Sequence, residues 1–350
     1  MKRIGGRIYE RLTSRENLTA AFYEAARGKR NKNTYGTQVA EFEENLDAYV
    51  FRLSKQLRSL TWRPHGTRKT ERVEHGKLRK IIWFNSFEDL VVMHALHRTV
   101  GVLLEKKLIE DTYSGVKKRG IRKGMNRVRR WLAEYPDGTP VDILKWDFRH
   151  YYPSISVSRM KAKLARYIKD KYVLWLYGLF LDACPGELPI GSFLSQLLAN
   201  IYLTDIDREA KRMGYRHYAR YCDDGVVIAP DRESLKQFVA VLYRMAEEDG
   251  LEIKDNIQIF PIERHGLDFM GYVFHRHGLV RLRKRTERRF RHAVHVCKRE
   301  NGSGNLVERV ASYKGLVLSL TWGEKLWMSV VGMEFKDFYK KYRKKDNANI

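Results

Sequence analysis

The chain has 350 residues, with 67 Lys and Arg against 42 Asp and Glu, a formal net charge of +25 and a pI near 9.9. An excess of that size is expected of a polyanion binder, because neutralising phosphates releases condensed counterions. Only Cys184, Cys222 and Cys297 occur, which argues against a disulfide framework or a CxxC zinc site; no apolar stretch approaches bilayer length, and no signal-like segment opens the chain.

Residues 1–60 read mainly as helix. Leu18, Ala21, Phe22 and Ala25, then Val39, Phe42, Leu46, Val50 and Leu53, recur at helical spacing around a basic loop, 27–33. From Trp62 to Ile82 the pattern turns strand-rich and basic, with Lys77, Arg79 and Lys80. Residues 87–105 return to helix. A second basic loop, 115–124, carries Lys117, Lys118, Arg119, Arg122 and Lys123 into a helix ending near Glu134. Pro136-Asp137-Gly138 breaks the pattern, and a strand is expected over 141–146, bordering Asp147. Helices are expected over 156–170 and 173–183, and a single long one from Gly191 through Ile206. A hairpin follows over 215–229, then an amphipathic helix over 231–249 and a strand-rich stretch over 251–274. This β–α–β–β–α–β order argues an α+β fold with an antiparallel sheet. Residues 276–350 hold 19 Lys and Arg against 7 Asp and Glu. They read as a separate, mostly helical basic appendage with Trp322 and Trp327 in its core.

The densest chemical signal is Tyr221-Cys222-Asp223-Asp224-Gly225. Asp-Gly between β-formers is a hairpin signal, so two adjacent acids are expected at the hairpin tip. Taken alone, Asp147 at a strand end reads as a helix cap or a solvated charge. Together with Asp223 and Asp224 it supplies three carboxylates from two strand ends, enough to bridge two Mg²⁺ ions, with the Phe148 carbonyl completing one oxygen shell.

The ordered motifs resemble those of reverse transcriptases. Asp147, followed five residues later by Tyr152, resembles their motif A, and Tyr221-Cys222-Asp223-Asp224 resembles the YxDD motif C. Ile190-Gly191-Ser192-Phe193-Leu194-Ser195-Gln196 is similar to motif B, the floor under the incoming nucleotide. Lys77-Leu78-Arg79 with Phe87-Glu88-Asp89-Leu90-Val91 resembles the fingers motif, and His265 to Tyr272 the segment leading into the primer grip. The match covers roughly residues 15–280. It implies a right-hand polymerase with N-terminal extension and fingers in 1–140, palm in 141–275 and a basic helical thumb in 276–350. The implied chemistry is RNA-directed DNA synthesis, a two-metal nucleotidyl transfer using Mg²⁺, with Mn²⁺ as the substitute ion. Asp147, Asp223 and Asp224 would be catalytic and, with Phe148, would hold the metals. Tyr152 would act as the steric gate against a ribose 2′-hydroxyl. Lys77 and Arg79 would meet the triphosphate, and Ile190, Gly191 and Gln196 would line the nucleotide pocket. Lys254 lies near the family's motif D lysine, off the usual spacing. Arg119, Lys123, Arg283, Lys284, Arg285, Arg288 and Arg289 are expected to track nucleic acid, because single-sign density is unlike an ordinary mixed surface.

Motif B narrows the resemblance. Group II intron and retron enzymes carry Gln-Gly-xxx-Ser-Pro there, whereas Ile190-Gly191 with Ser195-Gln196 is similar to the diversity-generating retroelement type. That type copies a template-repeat RNA into cDNA, misincorporates opposite adenine in mutagenic retrohoming, and works with a small basic accessory variability protein. The expectation is a cytoplasmic enzyme of bacterial, archaeal or phage origin, without maturase or endonuclease domains. Its other partners would be the template RNA, the RNA/cDNA duplex and dNTPs, with no membrane. Ile190 and Gln196 are the residues expected to loosen the grip on the templating base. Other readings stay open: a retron, abortive-infection or group II intron-derived enzyme, an RNA-dependent RNA polymerase, or an idle RNA-binding scaffold.

Overall fold

The structure, a computed structural model, describes residues 3–30, 35–74, 77–184, 186, 188 and 192–343; for Glu74, Lys77, Leu78, Arg79 and Arg343 it describes the backbone alone. Ten strands are present among them: β1 (Thr67–Glu74), β2 (Lys77–Phe84), β3 (Thr112–Tyr113), β4 (Asp142–Trp146), β5 (Tyr218–Tyr221), β6 (Asp224–Ala229), β7 (Gln258–Pro261), β8 (Leu267–Phe269), β9 (Tyr272–Phe274) and β10 (Val280–Leu282). The rest is predominantly helix, so the content is mixed, as the sequence predicts. No helix among the described residues is long and apolar enough to cross a membrane. The chain divides into two units: 1–117 with 146–225 and 236–257, and 118–145 with 226–235 and 258–350.

In the first unit the N-terminal helices form where apolar residues share one face. Ser14 accepts a hydrogen bond from the Asn17 amide at 3.2 Å and so caps the helix Arg15–Ala26, whose Leu18, Ala21, Phe22 and Ala25 are buried. The helix Phe87–Leu96 starts on a Ser86 cap and buries two carboxylates in its first turn. Glu88 accepts from Trp62 Nε1 at 2.9 Å and pairs with Arg52 at 2.7 Å; Asp89 meets His65 Nδ1 at 2.9 Å. These partners satisfy charges that would otherwise be costly to bury. They also tie the helix to the segment leading into the antiparallel hairpin β1–β2.

Two expectations change here. The long helix predicted from Gly191 is two helices, Ser195–Tyr202 and Thr204–Arg212, separated at Leu203; Gly191 itself lies outside the described residues. β3 pairs with β5 in parallel, Thr112 opposite Arg220 and Tyr113 opposite Tyr221, so the sheet is not purely antiparallel.

In the second unit β4 and β7 pair antiparallel, Ile143 opposite Phe260, and β8, β9 and β10 form an antiparallel meander. The helix Lys284–Arg299 buries Phe290, which stacks on Trp327 with ring centroids 5.5 Å apart. Trp327 is buried as expected. Trp322 is not: it is 58% exposed, and its ring meets the Lys325 ammonium at 4.7 Å, a cation–π contact that an exposed aromatic can make without a core partner.

Candidate active site

The proposed carboxylates all lie in the first unit, which brings them to neighbouring strand ends. Asp147 follows the last residue of β4, and the hairpin β5–β6 carries Asp223 and Asp224. Its turn is Cys222-Asp223, while Asp224 and Gly225 already belong to β6. The Asp-Gly signal therefore misplaces the turn. Cys222 adopts the left-handed conformation, φ 59°, that Asp-Gly was expected to supply.

Gly225 serves a different purpose. A Cβ there would lie 2.1 Å from Cζ2 of the buried Trp146 indole. With Trp146 laid flat against Gly225, their chain neighbours Asp147 and Asp224 come to the same end of the sheet. A Gly225→Ala substitution is therefore expected to cost about 1–3 kcal/mol by overpacking, read as a lower urea midpoint.

A buried cation fixes the other side of the turn. Arg220, fully buried, forks onto Asp207 at 2.8 and 2.7 Å and donates to Asn200 Oδ1 at 3.0 Å and to the Cys222 carbonyl at 2.6 Å. Burial alone would pull the guanidinium's pKa down, but Asp207 holds it above its ordinary value. Tyr218 Oη donates to the same carboxylate at 2.6 Å, so each charge is hydrogen-bonded as well as paired. Sequence reading missed this pair. Its one signal is an arginine inside the otherwise apolar Tyr218-Ala219-Arg220-Tyr221 strand.

Asp147 is held from a third segment. The Lys254 amide donates to the Asp147 carbonyl at 2.9 Å, Phe148 bridges to Ile253, and the Arg149 amide donates to the Glu252 carbonyl at 2.7 Å. That pairing delivers the Lys254 ammonium onto Asp147 Oδ2. The other oxygen, Oδ1, is buried with no hydrogen-bond partner. Among the described residues no three His, Cys, Asp or Glu side chains stand gathered as a metal cage; Lys254 is the cation beside Asp147. The donors are nevertheless oxygens only, the set that hard divalent cations take, and the partnerless Oδ1 is a ready ligand. The donor type is therefore the one a Mg²⁺ ion takes, although the three carboxylates do not converge on one point here.

Tyr152 lies on the short helix Tyr151–Ser154 with its hydroxyl 3.7 Å from Cys222 Sγ. Burial, then Cys222 and Asp223, push its pKa well up, so it stays a neutral phenol. Burial and Asp223 likewise raise the Cys222 thiol to about 11. The phenol therefore faces the acidic hairpin. Gln196 is exposed at the start of its helix, with its side chain over Gly115, where an added Cβ would come within 2.8 Å of its Oε1. Gly115 takes φ 66°, so glycine is required there on both counts. Ile190 and Gly191 fall outside the described residues, as do the side chains of Lys77 and Arg79, whose backbone lies on β2.

The basic residues of the second unit separate into two groups. Arg283 is engaged by Asp268. Lys284, Arg285, Arg288 and Arg289 are exposed on the helix Lys284–Arg299 and form no ion pair among the described residues, whereas Arg291 of the same helix pairs with Glu287 at 2.8 Å. Arg119 is half-buried in the loop before the helix Ile121–Glu134, and Lys123 is exposed in that helix's first turn.

No family model and no curated protein matches the sequence. Solved structures share the fold. Apo telomerase from Candida tropicalis superposes with a TM-score of 0.54 at 12% identity, covering 80% of this chain and 60% of that one. Telomerase from Candida tropicalis in complex with a TWJ fragment of telomeric RNA gives 0.53 at 12% identity, covering 79% and 55%. The chain thus spans roughly three fifths of the length of those proteins, and its fold is reverse-transcriptase-like.

Proposed function

We propose that this protein is an RNA-directed DNA polymerase that extends a 3′-hydroxyl with deoxynucleotides. The observation that carries the reading is the buried, partnerless Oδ1 of Asp147 at a strand end beside the Asp223-Asp224 hairpin, on a fold shared with telomerase. In this reading Asp147, Asp223 and Asp224, with the Phe148 carbonyl, hold two divalent ions. When bound, Mg²⁺ supplies activation of the attacking hydroxyl and neutralisation of the triphosphate. The chain's residues do the remaining work. Arg220 and Gly225 set the positions of the carboxylates, and the Tyr152 phenol offers its bulk where a ribose 2′-hydroxyl would lie. Lys77 and Arg79 bind the triphosphate, and Ile190, Gly191 and Gln196 line the nucleotide pocket. Arg119, Lys123, Lys284, Arg285, Arg288 and Arg289 bind phosphates of the template RNA and of the RNA/cDNA duplex, Arg283 acting through its pairing with Asp268. The right-hand division into fingers, palm and thumb over 1–140, 141–275 and 276–350 belongs to the same proposal.

The narrower proposal is the diversity-generating retroelement type with a small basic accessory protein, supported by the residues at 190 and 196. It predicts that primer extension on an adenine-containing RNA, followed by product sequencing, gives errors concentrated opposite adenine. Ile190→Gln should lower that error rate several-fold; an unchanged rate would remove Ile190 from the account.

A further inference from the structure

A cavity in the first unit lies apart from the carboxylates. It is an open groove of about 590 Å³ between the start of the helix Arg15–Ala26 and the last turns of the helix Leu46–Arg58. Phe51, Lys55 and Arg58 recur there at i, i+4 and i+7, forming one stripe. Val50, Leu53 and Leu57 of the same helix turn into the core.

This stripe is not used by the fold. Phe51 is 52% exposed, with the Arg15 guanidinium 4.5 Å from its ring centre. Arg15 and Lys55 form no salt bridge among the described residues, and Arg58 donates only to Thr13 Oγ1 at 3.4 Å. By contrast Arg52, one residue after Phe51, is taken up by Glu88. Glu16 is the one acid lining the cavity, so three cations face one carboxylate. Hydrogen bonds from its own backbone and from Ser14, with smaller help from Arg15 and Arg58, hold that carboxyl below its usual range.

An exposed ring beside unpaired cations, in a space of nucleotide size, is the combination that binds unpaired bases together with their phosphates. We propose that this cavity binds single-stranded nucleic acid, a base stacking on the Phe51–Arg15 platform and its flanking phosphates held by Lys55 and Arg58. An acidic peptide would engage the cations and leave the ring unused. A duplex keeps its bases stacked on one another and offers the ring nothing.

The site is independent of catalysis, so it is tested by binding alone, with the full chain. A fluorescein-labelled octauridylate gives affinity by anisotropy across a salt series, and its 5-bromouridine form gives crosslinks mapped by mass spectrometry. Phe51→Ala should weaken binding by about 5–100-fold, the cost of one lost base stack, and leave the salt slope unchanged. The double variant Lys55→Gln/Arg58→Gln should lower the slope by about 1.4, two single-strand phosphate contacts. The crosslink should map to the Phe51 peptide and survive Arg288→Gln/Arg289→Gln on the basic helix. A single-stranded DNA of the same length that behaves alike also supports the site. The proposal is overturned if no crosslink maps there and Phe51→Ala binds as wild type. Equal competition by an acidic peptide that is insensitive to Phe51→Ala would overturn it too, as would a duplex binding equally tightly through the same residues.

Discussion

Asp223→Asn should lower primer extension by roughly a thousandfold or more while leaving the fold and RNA binding intact. The side chains differ by one charge and almost no volume, and Asp223 sits in the two-residue turn of the hairpin rather than in a packed core. What is lost is an anionic oxygen at the proposed ion site. Transition-state charge stabilisation of about 4 kcal/mol corresponds to three powers of ten in rate. Asp147→Asn should do the same for a second reason: Lys254 would lose its charged partner as well. Circular dichroism and filter binding on the same preparations separate a chemical loss from unfolding. A variant at either position that extends primers at the wild-type rate would remove that acid from the site.

Arg220→Met should be the most destabilising single substitution at the site, at about 3–5 kcal/mol, because it leaves the Asp207 carboxylate buried without its counter-charge. The Asn200 and Cys222 carbonyl oxygens lose their donor in the same step. Set against total stabilities of about 5–15 kcal/mol, that is a large fraction. Arg220→Lys should recover only part, since an ammonium cannot reproduce the two-pronged contact with Asp207. Arg220→Met/Asp207→Leu should be more stable than Arg220→Met, because the orphaned charge is gone. Urea midpoints of the four proteins test this. A loss below about 1 kcal/mol in the single variant would show that the pair does not hold the turn.

What could be read from the sequence follows from how local each signal is. The helices over 15–26, 46–58 and 121–134 and the strand before Asp147 depend on periodicities within the segment, and they form as expected. The hairpin bearing Asp223 and Asp224 was legible for the same reason. Its turn was not, because Gly225 answers to Trp146, 79 positions earlier, and the left-handed residue is therefore Cys222. Asp207 is one of several charged residues of the helix Thr204–Arg212 and carries no local signal. Its function depends on Arg220, thirteen positions on, which no periodicity reports. The apolar pattern runs straight through the break at Leu203, so one helix was expected where two occur. β3 is two residues long, too short for any alternation to register. Lys254 lies off the spacing of the motif D lysine that the sequence resembles, yet strand-like pairing of its segment with Asp147 to Arg149 places it on the carboxylate.

Templated DNA synthesis from RNA, proposed for the Asp147, Asp223 and Asp224 site, can be checked in one primer-extension experiment. Purified protein, an RNA template with an annealed primer and Mg²⁺ are supplied with dNTPs or with NTPs, alongside Asp223→Asn. Template-length DNA is expected with dNTPs, little product with NTPs if Tyr152 screens the sugar, and none from the variant. Equal extension with NTPs, or full-length product from Asp223→Asn, would contradict it.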